Sequence, residues 1–422
     1  MALEAEPNGL LSSANSLTLG TAVVGQLANS ADLDYFKFTV TGAGTLSLIF
    51  DVPTSSAFSD YFRLGLFDAS GALLNLFATG QDKTFQVGAP AAGTYYVGIE
   101  SWGSTYYDDG SYSLTVNYTP GSGAGFESEP NGVLAAADAI NLGTAVIGQL
   151  AVNTDVDYFK FTVTGAGTLS LVFDVPTSSA FSDYFRLGLF DASGALLSLF
   201  ATGQDKTFQV GAPTAGTYYV GIDASSATYY DDGPYSITVN YTPGSGAGFE
   251  SEPNGVLAAA DAINLGAAVI GQLAVNTDVD WFELNVPSAG ELQIAFDAPT
   301  STTIEYFRVW VYDVKGNLLA GRATGQDINF LAGAPSAGIY YVAVTVADIY
   351  SYNSGQYGLT VTSVSTSTHR ESEVNDTNAL ADIVSLGSSV VGQLSTPQDI
   401  DTYSVLMPSG GTLMLRARSQ IT

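Results

Sequence analysis

Glu127-Ser128-Glu129-Pro130-Asn131-Gly132 is answered a short way on by Asp155-Val156-Asp157-Tyr158-Phe159, and both stretches recur along the chain. The motif returns at Glu6, Glu129, Glu252 and Glu373, at intervals of 123, 123 and 121 residues. Repetition at that interval marks tandem domains. Residues 35–99 and 158–222 differ at three of 65 positions, and residues 118–157 and 241–280 differ only at Thr144/Ala267. Successive domains therefore present nearly the same surfaces to their neighbours, as the units of a regular array do. The predicted boundaries are 1–119, 127–242 and 250–363 for three complete repeats, with linkers at 120–126, 243–249 and 364–370. The first two linkers are Pro/Gly/Ser runs and the third is Ser/Thr-rich, compositions that punctuate rather than pack. Residues 371–422 hold only the first strands of a fourth repeat, which reads as part of a longer array or as a half-domain completed by another chain.

Within the second repeat the hydrophobic period is two. Phe159, Phe161 and Val163 share one face, as do Phe185, Leu187 and Leu189, then Tyr218, Val220 and Ile222, and finally Tyr235, Ile237, Val239 and Tyr241. Asp191-Ala192-Ser193-Gly194 reads as the turn of a hairpin. With 145–150, 167–175, 195–200 and 204–211, this gives about eight short strands per repeat. The predicted fold class is all-β, a series of tandem antiparallel β-sandwich domains joined by short Gly/Ser/Pro linkers. Residues 133–140, rich in alanine, are the one helical candidate and are too short to stand alone.

Glu127, Glu129 and Asn131 alternate, so in an extended segment their side chains leave on one side, and Asp155 and Asp157 do the same before the next strand. If the segments meet, four carboxylates and an amide oxygen converge, and their repulsion opposes folding unless a cation or protons intervene. A hard cation such as Ca²⁺ takes about six to eight oxygen ligands of these kinds. The plain alternative is a Pro-Asn-Gly turn carrying solvated acids.

The succession E-x-E-P-N-G, a G-Q-L strand, D-x-D-Y-F-x-F, A-G-T-Y-Y-V and a closing Y-S-I-T-V strand resembles the bacterial pre-peptidase C-terminal domain, whose relatives include the collagen-binding domains of clostridial collagenases. The resemblance covers every complete repeat. It implies a jelly-roll-like sandwich of secreted proteins, often with Ca²⁺ near the N-terminal segment. Carried over by position, the implied ligands are Glu4, Glu6, Asn8, Asp32 and Asp34 in the first repeat and Glu127, Glu129, Asn131, Asp155 and Asp157 in the second. In the third they are Glu250, Glu252, Asn254, Asp278 and Asp280. The fourth offers Glu371, Glu373, Asn375, Asp399 and Asp401, with Val374 in place of the proline and Asp376 in place of the glycine.

Composition narrows the function. The 41 Asp and Glu against 12 Lys and Arg give a net charge of -29, which argues against a nucleic-acid partner, since phosphate neutralisation needs clustered bases. It argues equally against anionic membrane surfaces. Cysteine is absent, so disulfides, thiolate metal sites and a cysteine nucleophile are excluded. No apolar run approaches the ~20 residues of a membrane span. The single histidine, His369, lies in a linker, which leaves little material for nucleophilic catalysis, and carboxylates duplicated in every repeat are unlike one glycosidase pair. Tyr106-Tyr107-Asp108-Asp109-Gly110 and Tyr229-Tyr230-Asp231-Asp232-Gly233 are the stretches that a glycan could stack on, although a turn or an inter-domain contact accounts for them as well. The third repeat has Tyr350-Ser351-Tyr352-Asn353 there, without the acid pair. Ser59-Asp60-Tyr61 and Ser182-Asp183-Tyr184 read as turns at strand starts or, alternatively, as a second ion site. The sequence thus predicts a non-catalytic, secreted, Ca²⁺-clamped repeat protein of a bacterial surface or filament that self-associates. The rival reading is a polysaccharide- or protein-polymer-binding appendage of a secreted hydrolase.

Overall fold

The computed structural model describes all residues except 1, 56–59, 122–124, 177, 180–182, 227–229, 245–247, 349–350, 365–368, 395–397 and 419–422. Contacts divide the chain into two compact units, Met1–Gly246 and Ala247–Thr422. The first holds two repeats, and the second holds the third repeat and the partial fourth.

In the second repeat the strands are β1 (Asp138–Ala139), β2 (Val146–Gly148), β3 (Val156–Val163), β4 (Gly167–Asp174), β5 (Phe185–Phe190), β6 (Leu196–Thr202), β7 (Lys206–Ala212), β8 (Gly216–Ala224) and β9 (Tyr235–Pro243). They form a five-stranded sheet in the order β1-β3-β8-β5-β6 and a four-stranded sheet in the order β2-β9-β4-β7. Neighbours are antiparallel apart from the short β1, which lies parallel to β3. Period-two alternation explains the layering, because each strand sends one row of side chains between the sheets. Phe159, Phe161, Leu187, Leu189, Val220 and Ile222 from one sheet meet Leu169, Leu171, Phe173, Ile237 and Val239 from the other in one continuous core. The first and third repeats have equivalent cores.

Two expectations change at the edges of this picture. Residues 133–140 are not a helix: Leu134–Ala136 make a single 3₁₀ turn, and the chain is extended again at β1. A stretch that short gains too few hydrogen bonds to nucleate a helix, and pairing Asp138 and Ala139 with Phe159 and Lys160 satisfies the backbone better. The linkers are also less bare than their composition implies. The closing strands run through Pro120, Pro243 and Val364, and Phe126 bridges to Ile147 before the acidic motif begins.

The partial fourth repeat has two small ladders, His369–Arg370 with Val390–Val391 and Asp382–Ile383 with Tyr403–Ser404. Leu406, Met414 and Leu415 there are largely exposed. Among the described residues no helix is long and apolar enough to cross a membrane.

Candidate metal centre

Strand β3 carries an acid on its core face. Asp157 alternates in phase with Phe159, Phe161 and Val163 and is fully buried with them. A carboxylate in that position needs partners, and the first comes from the opposite sheet. Tyr235, at the start of β9, packs its ring on Phe173 and Phe185, with centroids 5.3 and 5.9 Å away. Its hydroxyl donates to Asp157 Oδ2 at 2.5 Å. Gly148 pairs with Tyr235 across the β2–β9 ladder and leaves room for that hydroxyl. A Cβ there would run into the Tyr235 ring and come within 2.7 Å of Glu127 Oε2.

The acidic motif crosses this end of the sandwich with its polar groups pinned one by one. Glu127 Oε1 accepts from Gln149 N at 2.6 Å, Glu129 Oε2 accepts from Asn131 N at 3.0 Å, and the Asn131 carbonyl accepts from Tyr158 N at 3.4 Å. Asp138 Oδ2 accepts from Ser128 N at 2.7 Å and from Asn131 Nδ2 at 3.4 Å. Each contact uses one side of a group and turns the other side inward. Glu127 Oε2, Glu129 Oε1, Asn131 Oδ1 and Asp157 Oδ1 are consequently buried with no hydrogen-bond partner. Carboxylate oxygens of Glu127, Glu129 and Asp157 lie within 4.8 Å of one another.

The same trio recurs as Glu4, Glu6 and Asp34, as Glu250, Glu252 and Asp280, and as Glu371, Glu373 and Asp401. Buried, unpartnered oxygens also occur on Asn8 and Asp34, on Glu252, Asn254 and Asp280, and on Glu373, Asn375 and Asp401. The fourth corner is thus assembled despite Val374 and Asp376. Four inward oxygens of carboxylate and amide type, with neither nitrogen nor sulfur among them, suit a hard cation such as Ca²⁺ or Mg²⁺.

The electrostatics agree with this geometry. Burial, followed by the charges of Asp157 and Glu129, pushes the Glu127 carboxyl well above the usual range. Asp157 is raised by burial and then by Asp155. Burial and the neighbouring Asp155 lift Glu129 to about 7, and burial opposed by the Tyr112 hydrogen bond leaves Asp34 at about 8. Without a cation, these groups retain protons at neutral pH that ordinary carboxyls have lost.

Asp155 is placed differently from its proposed partners. Its Oδ2 accepts from Ala151 N at 2.8 Å and its Oδ1 from Val156 N at 3.0 Å, so it braces the turn into β3. Asp32 and Asp278 do the same in their repeats. Strand β3 begins at Val156, so Asp155 lies in the turn just before it. Asp155 adds negative charge beside Asp157.

Sequence reasoning missed Tyr235, Gly148 and Asp138. Asp138 aligns with Asp261 and Asp382, which also accept from the Asn side chain. Asn15 stands there in the first repeat, and the Asn8 amide nitrogen has no partner. Replacing Gly148 with alanine is expected to abolish cation binding in the second repeat alone. A calorimetric titration of G148A should show one ion fewer than the parent.

One tyrosine of each tyrosine-rich loop braces the fold. Tyr107 donates to Leu27 O at 2.7 Å, Tyr230 to Ala151 O at 3.2 Å and Tyr352 to Ala274 O at 2.6 Å, while Asp108 and Asp231 accept from the glycine two residues on. Tyr229, Tyr350, Ser59 and Ser182 lie outside the described residues.

No protein-family model and no curated protein matches the sequence. Among solved structures, the chain is similar to the pre-peptidase C-terminal domain of a collagenase from Bacillus anthracis, with 26% identity over 24% of this chain and 93% of that domain and a TM-score of 0.20. It is also similar to tandem CBM51 modules of a family 98 glycoside hydrolase from Streptococcus pneumoniae, with 7% identity over 52% of this chain and 83% of that one and a TM-score of 0.20. A third similarity is to the tandem CBM22 domains of Xyn10C from Paenibacillus barcinonensis, with 10% identity, coverage of 49% and 82%, and a TM-score of 0.16.

Proposed function

We propose that the chain is a non-catalytic, secreted array of β-sandwich repeats, each clamped at its N-terminal corner by Ca²⁺. In this reading it serves as a structural or adhesive element of a bacterial surface or extracellular filament. The observation that carries the proposal is the set of buried oxygens without partners at every corner. A buried, unpaired carboxylate is costly, and a chain that repeats the arrangement four times has a compensating ligand. Ca²⁺ would be held by Glu127, Glu129, Asn131 and Asp157 and by their counterparts, and would supply the positive charge the corner lacks. It would also fasten the segment next to the linker onto the sandwich. A catalytic role is disfavoured by the identical chemistry in every repeat and by the lone histidine.

Electron microscopy of the purified chain tests the structural role. Regular rods or filaments in millimolar Ca²⁺ that soften or disperse in chelator are expected. Flexible beads under both conditions would contradict it.

A second reading, a polymer-binding module, is favoured by one observation. Trp102 and Tyr106 of the first repeat are 42% and 48% exposed, and the Arg63 guanidinium lies 5.8 Å from the Trp102 ring. An aromatic platform of that kind stacks on sugar rings. Retention of the chain on an insoluble polysaccharide, lost in Trp102→Ala, is the expected result under this reading.

A further inference from the structure

The Gly-Gln-Leu motif recurs at Gly25-Gln26-Leu27, Gly148-Gln149-Leu150, Gly271-Gln272-Leu273 and Gly392-Gln393-Leu394. The corner uses its glycine, and the glutamine side chain has a separate task. In the unit Met1–Gly246, the Gln149 amide leaves its own repeat. Its Nε2 donates to Leu76 O at 2.5 Å, and its Oε1 accepts from Leu76 N at 3.3 Å and from Asn75 Nδ2 at 3.2 Å. Leu76 lies in the strand Leu73–Thr79, at the edge of one of the first repeat's two five-stranded sheets. An edge strand presents unpaired N–H and C=O groups, and a primary amide offers the donor and acceptor that a neighbouring strand would. A second bond, from Nε2 to Asp232 O at 2.5 Å, holds the side chain against its own loop.

A second contact lies beside it. A Cβ at Gly88 of the first repeat would sit 2.7 Å from Phe126 Cβ and 3.2 Å from Glu127 O, and the nearest atoms around it all belong to the chain entering the second repeat. Gly88 therefore lets the two backbones approach. In the unit Ala247–Thr422 the corresponding glutamine also reaches the preceding repeat, but at the edge strand of the other sheet, Ile328–Ala334. With its amide turned to satisfy both neighbours, Gln393 would donate from its nitrogen to Leu331 O at 3.1 Å and accept at its oxygen from Arg322 Nη1 at 2.9 Å, while Arg370 Nε donates to Glu291 Oε1 at 2.7 Å.

Behind the glutamine stands the corner. Gln149 N donates to Glu127 Oε1, and Glu127 Oε2 is one of the inward oxygens. We infer that this glutamine is a docking key for the edge strand of the preceding repeat, forming a head-to-tail interface between sandwiches, and that filling the corner of one repeat tightens its hold on the repeat before it. The second half rests on the cation reading given above. The first half stands on the contacts alone.

Hydrogen exchange of the whole chain, followed at the Leu73–Thr79 peptide, tests both halves. Gln149→Ala should speed exchange of the Leu76 amide about tenfold, the effect of losing one net hydrogen bond. Gly88→Val, which displaces Phe126 and crowds the Glu127 carbonyl from the side of the first repeat, should do the same. Added Ca²⁺ should slow that amide in the parent chain and leave it unchanged in Gln149→Ala. Exchange unaltered by both substitutions would overturn the key. Faster exchange in the variants with no response to Ca²⁺, in protein that calorimetry shows to bind it, would overturn the coupling and keep the key. Absence of any Ca²⁺ binding would overturn the cation reading and the coupling together, while the two substitutions would still decide the key.

Discussion

In chelator the chain is expected to melt roughly 10 °C below its melting point in saturating Ca²⁺, and returning the ion should reverse the change. A ligand that binds only the folded state adds about 2.7 kcal/mol at a hundred times its Kd, and about 1 kcal/mol moves the midpoint of a domain of ~100 residues by roughly 4–8 °C. The proposed clamp would give such linkage, because the residues that would hold the ion come together only on folding. Glu127 and Asn131 precede the sandwich, whereas Asp157 enters on β3 and is oriented by Tyr235 from the last strand. Unfolding separates them. The effect should belong to Ca²⁺ and be absent with K⁺ at equal ionic strength, which excludes general screening of the -29 charge. Superimposable melting curves in chelator and in Ca²⁺ would contradict the clamp.

The second large effect is a pH dependence that the ion reverses. Without a cation, burial raises the Asp34 carboxyl to about 8 and those of Glu129, Glu252, Glu371 and Glu373 to about 7. The unfolded chain releases the same protons near pH 4, so between about 4 and 8 the folded state binds more of them and stability falls as pH rises. In chelator the melting temperature should therefore be highest at the acidic end of this window and decline towards pH 8. Ca²⁺ needs the ionised groups and competes with those protons. Its stabilisation should be greatest near pH 8 and small near pH 5. Asp157→Asn keeps an acceptor for the Tyr235 hydroxyl but removes one charge. In chelator at pH 8 the variant should melt above the parent chain, and in Ca²⁺ below it. A parent profile in chelator that rises from pH 5 to pH 8 would show that these groups are not buried as described.

The fold was legible because alternation is a strong signal where one strand face is buried. The rows through Phe159, Leu187, Val220 and Ile237 were assigned inward from the sequence and are inward in the structure. Residues 133–140 misled because their alanines favour a helix, whereas the adjacent sheet edge offers Asp138 and Ala139 a ladder. The corner was legible in part. Asp157 is an acid in register with core phenylalanines, which is itself a sign of function, and the oxygens of Glu127 and Glu129 lie close to its own. Asp155 was not separable from Asp157 by spacing, since its role as a turn brace depends on where the strand begins. Tyr235 lay hidden in a row of core residues, because nothing in a period-two pattern says which inward tyrosine directs its hydroxyl to a carboxylate. Gln149 was invisible for a different reason: its partners belong to the previous repeat.

The most direct test is to count ions. Equilibrium dialysis of chelator-stripped protein against Ca²⁺ at neutral pH should show saturable binding of one ion for each of the four corners, falling by one in Asp157→Asn. Binding that does not saturate, or that Asp157→Asn leaves unchanged, would mean that the acids gather loose counterions and that the corners are not clamps.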